Sequence, residues 1–520
     1  MPPLGKFAGC LDVLDMTEGV FEDRRLLWAI AALIVILFTA ANLPWQLDDY
    51  DQAKQAFTSF EMVKEGHWFY QRTPHEGVAT KPPLVGWISV AVFAVTRSWE
   101  IAWRFPSLVA ALALAIVLFR AARNAYGDDA ALIALAAFGF NLLSPRLATL
   151  VRTDMPLALV VFLIGLLTWQ KIRARTGWAL RDQIHIFVLL TASMLIKGPI
   201  VYAFLLPGIL VFEWHCRTAP PRGAPKQHSS RAWAGWWPWV ASLVIFLLWV
   251  AGGIWSRPGF YQEVVMREFI GRFGETIHRP QPLFFYFPHL LHKFAPWSVL
   301  MIFIAAVDLR SQKWRVRGAF REMAPETFWL LCWSIGGLLV MSLIPSKRVD
   351  RIFPVIPPLC LLLAAQISAT CAPLPQTASS GIPGVRRLYL WTLAALGLGI
   401  LITGGYTGWK IVTGYRDHRD ALAVFGKTVR DEAQAHHWRC QIVTAKDEGL
   451  LLYLREMYFI APADAVAEWK AGNLDALVAS EEKAAALMPD LKDAAFSELQ
   501  SNESREQEQG RGYVLITHQP

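Results

Sequence analysis

The sequence predicts an α-helical polytopic membrane protein of about 11–13 transmembrane helices, followed by a small soluble α/β domain. Three observations carry this. Of 520 residues, 54% are hydrophobic, above the ~45–50% usual for soluble chains. Apolar runs approaching the ~20 residues of a bilayer crossing recur between residues 25 and 411. Lysines and arginines gather in the short loops between alternate runs, the positive-inside pattern. That pattern accounts for the net charge of +8, so the charge is no reason to expect nucleic acid. The six cysteines show no paired spacing, hence neither a disulfide framework nor a metal knuckle.

Residues 1–24 read as a short cytoplasmic tail. The run Leu26–Leu43 follows Glu22-Asp23-Arg24-Arg25 and lacks a small-residue cleavage site, so it is expected to stay as the first span. A long outer loop, 45–83, comes next. Residues 84–96 are too few to cross and read as interfacial or re-entrant. Spans are then expected at 103–120, 130–148, 157–170, 184–196, 200–213 and 236–255. After a second outer loop, 256–285, they continue at 286–307, 327–344, 352–369 and 388–411. Arg120 and Arg123, Lys171–Arg181, Arg217–Arg231, Arg310–Arg321 and Arg386–Arg387 then all fall inside. Beyond 412 the composition becomes soluble. Asp420–His436 has helical periodicity, and Cys440–Ala445 and Gly512–Ile516 read as strands of a domain spanning 412–520 on the periplasmic side.

The first outer loop is the most informative stretch. Asp48, Asp49 and Asp51 follow the membrane exit, and Ala53, Ala56, Phe57, Phe60 and Val63 repeat at helical spacing. That predicts an amphipathic helix at the membrane interface with an acid at its start. The loop ends in Thr80-Lys81-Pro82-Pro83. Asp51 fits two roles, a catalytic acid or an ordinary helix N-cap. Ionisable groups at outer helix ends are costly unless paired or ligand-bound. Here Asp51, Lys81, Arg152, Asp154, Lys197, Arg272, Lys347, Arg348 and Arg351 all map to one face. Clustered cations suit a phosphate, held bidentately by Arg and as a point charge by Lys. His278, His289 and His292 lack a tight ligand motif and read as structural.

These motifs carry a resemblance. Asp51-Gln52-Ala53, Glu61-Met62, Gly66-His67-Trp68, Lys81-Pro82-Pro83, Arg152-Thr153-Asp154, Lys197-Gly198-Pro199, Arg267-Glu268, Gly271-Arg272-Phe273 and Ser346-Lys347-Arg348 with Arg351 occur in a shared order. Together they resemble the polyprenyl-phosphate-sugar glycosyltransferases of GT-C fold, the aminoarabinose lipid A transferases and protein O-mannosyltransferases (families 39 and 83). The resemblance implies an inner-membrane enzyme with a periplasmic active site. Its donor would be a sugar on polyprenyl phosphate, and its acceptor lipid A, lipopolysaccharide, another glycan or a protein. It implies Asp51 and Asp154 as catalytic acids, and Lys81, Lys197, Arg272, Lys347, Arg348 and Arg351 as ligands of the lipid phosphate. In the aminoarabinose transferases, Glu before the loop lysine and His after the second-loop Glu look like ligands of a divalent metal. This chain has Thr80 and Phe269 there, so no metal ligand is assigned, and the resemblance alone keeps a divalent metal among the expectations.

Two other readings compete. A transporter or flippase of lipid-linked sugars would place its ionisable residues near mid-membrane. A non-catalytic scaffold would depend on its C-terminal domain.

Overall fold

The structure is a computed structural model describing residues 24–47, 50–75, 77–218, 231–272, 280–311, 320, 323–371, 383–445, 447–501 and 512–518. The expected cytoplasmic tail, Asp48, Asp49 and His278 lie outside these residues. So does the side chain of Arg272.

A helix occupies each stretch where a crossing is expected. Among the described residues seven helices are long and apolar enough to span, or eight if a bent pair counts as one span, fewer than the 11–13 expected. The first helix, α1 (Arg24–Ala40), is shorter. Next come α2 (Tyr50–Glu65), the short apolar α3 (Leu84–Thr96) and the long α4 (Trp99–Tyr126). The single span expected at 130–148 is broken. Helix α5 (Asp128–Gly139) stops where the Asn141 side chain takes over the local backbone: its amide donates to the Ala137 and Phe138 carbonyls, and its carbonyl accepts from the N–H groups of Leu143 and Ser144. One turn, α6 (Ser144–Ala148), follows. Helices α7 (Asp154–Ala174) and α8 (Leu180–Lys197) come next, and Gly198, at φ +75°, ends α8.

Helices α9 (Ile200–Thr218) and α10 (Trp237–Ser256) precede a π-helical turn over Tyr261–Phe269. The expected span 286–307 is likewise bent, by 100°, between α11 (Tyr286–Lys293) and α12 (Trp297–Ser311). Helices α13 (Pro325–Leu343), α14 (Ile356–Cys371) and α15 (Pro383–Arg416) complete the bundle.

Small residues set the closest helix crossing, as is usual in apolar bundles. A Cβ on Gly336 of α13 would lie 2.7 Å from the Gly208 backbone nitrogen of α9. One on Gly208 would lie 2.9 Å from the Cys332 carbonyl.

After α15 come α16 (Ala421–Ala435) and a five-stranded mixed sheet in the order β2-β1-β3-β5-β4. Strands β1 (Cys440–Val443) and β3 (Ala476–Ser480) pair parallel, as do β1 and β2 (Phe459–Ile460). Strand β5 (Tyr513–His518) runs antiparallel to β3 and to β4 (Ala494–Gln500). Between β1 and β2 lies the short helix α17 (Glu448–Leu454).

The amphipathic helix expected in the first loop is α2, and protein encloses it. Ten of its residues are buried, including Gln52, Gln55, Thr58, Ser59 and Glu61. Its apolar side packs with Trp99 and Trp103 of α4 and with Ala423, Leu452 and Tyr453 of the C-terminal domain. The helix is enclosed by protein because the domain covers it.

Replacing Gly336 with Val forces α9 and α13 apart against backbone, so the detergent-solubilised protein should melt several degrees lower. Gly397→Ala, with nothing within 4 Å of its new Cβ, should leave the midpoint in place.

Candidate active site

Four connections converge at one end of the bundle. The first loop delivers Asp51 in the opening turn of α2 and Lys81 just before α3. The α6–α7 connection delivers Arg152 and Asp154. Lys197 closes α8, and the turn 345–351 brings Lys347, Arg348, Asp350 and Arg351.

Local bonding fixes the first two. Glu61, fully buried, accepts from the Arg72 N–H at 2.6 Å and pairs with His67 Nδ1 at 2.7 Å. This ties the stretch after Gly66 (φ +73°) back onto α2. Burial pushes the Glu61 carboxyl up. Beyond it, Arg72 and Val78 bridge antiparallel and Ala79 N–H donates to the Gln71 carbonyl, which sets the approach to Lys81. The Ser107 hydroxyl donates to the Leu150 and Arg152 carbonyls, and Gln52 Oε1 accepts from Val151 N–H, holding the turn before Asp154.

The charged side chains form a network. The Arg348 guanidinium pairs with Asp51. Arg152 reaches Asp51 at 3.7 Å and donates to Asp350 at 2.9 Å, and Asp350 meets Arg146 at 3.3 Å. Lys197 pairs with Asp154. Lys81 stands in the field of Asp51, Lys197, Asp154 and Glu268 together. Burial raises the Asp51 carboxyl, but Lys81, Arg348 and Arg152 outweigh it and hold it at about 2. Burial pulls the Lys81 ammonium down to about 8, against the opposing pull of Asp51.

Of the expected site residues, Asp51, Lys81, Asp154, Lys197 and Arg348 meet in this network. Lys347 instead donates to the Gln281 carbonyl at 2.9 Å. Arg351 is buried and donates to the Ser346 carbonyl at 2.5 Å, closing its own turn. Asp350 was not singled out as a site residue. In the sequence it is only a lone acid inside a basic stretch, and the fold alone brings it beside Arg152 and Arg146.

The two positions that look like metal ligands in the aminoarabinose transferases hold other chemistry. The Thr80 hydroxyl donates to Glu268 Oε1 at 3.2 Å, while Phe269 packs edge-on against Phe246. No three His, Cys, Asp or Glu side chains gather among the described residues. One hydroxyl, one carboxylate and a phenyl ring do not fit a divalent metal. His289 and His292 are neighbours on α11, with ring centres 5.5 Å apart.

The C-terminal domain also closes on this end. The Leu47 N–H donates to the Tyr453 hydroxyl at 2.7 Å, and Gly449 lies so near the Leu47 carbonyl that a Cβ would come within 2.8 Å. Glu448 is 2% exposed, and neither carboxylate oxygen has a hydrogen-bond partner. His75 Nε2 stands 3.5 Å away. Burial pushes the Glu448 carboxyl up to about 7, with Lys54 of α2 the opposing charge.

Comparison with known proteins follows the geometry. Residues 80–222 match the family model described as dolichyl-phosphate-mannose-protein mannosyltransferase. The chain is 24% identical over 394 residues to the undecaprenyl phosphate-alpha-4-amino-4-deoxy-L-arabinose arabinosyl transferase 2 of Proteus mirabilis, a match spanning 72% of this chain and 65% of that protein. The corresponding transferase of Pectobacterium atrosepticum is 25% identical over 417 residues, 75% of this chain and 70% of its own. The crystal structure of ArnT from Cupriavidus metallidurans bound to undecaprenyl phosphate superposes with a TM-score of 0.67 at 18% identity, covering 94% of this chain and 97% of that one. This likeness establishes the GT-C fold.

Because the folded-state pKa of Glu448 is raised, the folded protein holds its proton more tightly than the unfolded chain does. Stability linked to this group is complete below its ordinary value of ~4.3 and is lost as pH rises to about 7. Glu448→Gln should therefore raise the melting midpoint at pH 8 by a few degrees and leave it nearly unchanged at pH 4.5. Equal shifts at both pH values would deny the buried ionisation.

Proposed function

We propose that this chain, a multi-pass membrane protein, is an inverting glycosyltransferase of the GT-C family. It takes a sugar from a polyprenyl phosphate, undecaprenyl phosphate in a bacterial inner membrane. It passes the sugar to an envelope acceptor (lipid A, lipopolysaccharide, another glycan or a protein) on the periplasmic face. The single observation that carries this reading is the meeting of Asp51, Lys81, Arg152, Asp154, Lys197 and Arg348 at one end of the bundle. The relatives' names supply the donor class.

In this reading an acceptor oxygen attacks the anomeric carbon from the face opposite the phosphate. The new bond forms as the carbon–oxygen bond to polyprenyl phosphate breaks, and the electron pair leaves on phosphate. Lys81 and Arg348 stabilise the charge gained there, an interaction stronger in the transition state than before it. Lys347 and Arg351 act indirectly, by holding the turn that presents Arg348. Lys197 orients Asp154.

The Asp51 carboxyl, at about 2, is too weak a base to take a proton from a hydroxyl efficiently near neutrality. That favours a role in orientation and an acceptor already ionised, such as a phosphate monoester, whose second pKa is near ~6. The 412–520 region acts as a lid-like wall over α2. A flippase is less favoured because these ionisable groups sit at helix ends and in loops.

Two measurements test the reading. Mass spectrometry of envelope lipids should show a sugar-sized mass missing in the deletion strain and in Asp51→Asn, with the lipid-phosphate sugar accumulating. Asp51→Asn should lower turnover about 10²–10³-fold, the range for losing one fixed charge at a reacting centre. An unchanged glycolipid profile in the deletion strain would sink the transferase reading.

The rate should also fall above pH of about 8 as Lys81 loses its proton. Lys81→Arg should move that limb to higher pH. A limb that stays put in Lys81→Arg would remove Lys81 from phosphate binding.

A further inference from the structure

Two adjoining cavities share Arg146 and Lys410 as a common wall. One, of about 180 Å³, is lined by Gln46, Gln52, Arg104 and Arg419 besides these two. The other, of about 260 Å³, adds Asn141, Lys293, Thr403 and Tyr406. Five cations therefore line the pair, and no described carboxylate does. None of Asp51, Lys81, Asp154, Lys197 or Arg348 lines them, so they are separate from the reaction centre.

The two sites are nonetheless joined. Arg146, in the shared wall, pairs with Asp350, which holds Arg152, which reaches Asp51.

The walls are built for an anion. Arg104 is 5% exposed, held over the Trp45 ring at 5.2 Å and donating to the Glu100 carbonyl. Lys410 donates to the Ala41 carbonyl and to Asn42 Oδ1. Two buried polar atoms on the linings, Gln46 Oε1 and Thr403 Oγ1, have no hydrogen-bond partner. Buried polar atoms left unpaired are costly, and like charges gathered beside them repel one another. An oxyanion carrying hydroxyl groups relieves both: the cations take its charge, and the amide and hydroxyl groups take its neighbouring oxygens.

We propose that this double cavity is an anion-binding site for a phosphorylated saccharide, distinct from the lipid-phosphate site. Resting on the transferase reading, it takes a non-reacting phosphate of the acceptor and so fixes the acceptor's orientation towards Asp51. The Arg146–Asp350–Arg152 ladder transmits its occupancy to the reaction centre.

The test is binding to the full-length protein in nanodiscs by calorimetry, with no turnover required. Its result therefore stands whether or not a sugar is transferred. Glucose 6-phosphate should bind and glucose should not. The pair Lys410→Gln with Arg419→Gln should weaken binding about a hundredfold, roughly tenfold for each charge-assisted hydrogen bond removed. Thr403→Val, nearly isosteric, is the second variant in case the pair folds poorly, and it should weaken binding severalfold. Gly397→Ala, outside the cavities and with nothing within 4 Å of its new Cβ, should bind as the wild type does.

Lipopolysaccharide should compete with glucose 6-phosphate, and phosphatase-treated lipopolysaccharide should not. That result identifies a membrane acceptor as the source. Competition by free sugar phosphates alone would overturn the acceptor assignment. Equal binding of glucose, or binding untouched in both cavity variants, would overturn the site itself.

Discussion

The pairing of Asp51 with Arg348, braced by Arg152 and Asp350, holds the candidate site together. Residues 51, 152 and 348–350 lie on three connections that are far apart in the chain, and no shared strand or helix joins them. Charge does. Arg152 and Asp350 are both more than nine-tenths buried, and a buried charge without its partner costs about 3–5 kcal/mol. The three connections are therefore held in one arrangement by electrostatics, while the helices beneath them are held by close packing of small residues such as Gly208 and Gly336. The same network divides the chemistry. It lowers the Asp51 carboxyl to about 2 and the Lys81 ammonium to about 8, the polarity the proposed transfer would use.

The C-terminal domain shares in this arrangement. Helix α2, which carries Asp51, has membrane helices on one side and α16 and α17 on the other. Its polar residues are buried against the bundle and the first loop, Gln52 on Val151, Ser59 on Trp103 and Glu61 on Arg72, while the domain covers its apolar side. Tyr453 and Gly449 grip the chain at Leu47, four residues before Asp51. Removing water from the surroundings of Asp51, Arg152 and Lys81 strengthens every interaction among them, so the domain contributes to the electrostatics of a site to which none of its described residues lends a charged side chain.

Much of the site was legible in the sequence because membrane proteins punish misplaced charge. Asp51, Lys81, Asp154, Lys197 and Arg348 stood out as ionisable groups at helix ends, and they do meet. Lys347 and Arg351 stood out for the same reason, yet they bind backbone carbonyls of the loops. Sequence spacing cannot tell a cation that faces a ligand from one that braces its own turn. Asp350 and Glu448 were passed over because each is unremarkable until its surroundings are known: one becomes the hinge of two arginines, the other a buried acid between two domains. The breaks at Asn141 and at residues 294–296 were missed for a related reason. Hydropathy averages over a window, and a side chain that captures backbone bonds acts at a single residue.

By itself the sequence determined the medium and the order of events along the chain. Apolar runs must cross a bilayer, basic loops choose their side, and a change of composition after residue 412 must begin a soluble fold. These are local consequences of transfer energies, so they can be read locally. Only the tertiary structure decided which charges meet, which face of α2 is dry, and which cations gather around a cavity that no described acid lines. Those are questions of distance between segments hundreds of residues apart, and Coulomb energy and desolvation depend on that distance rather than on position in the chain.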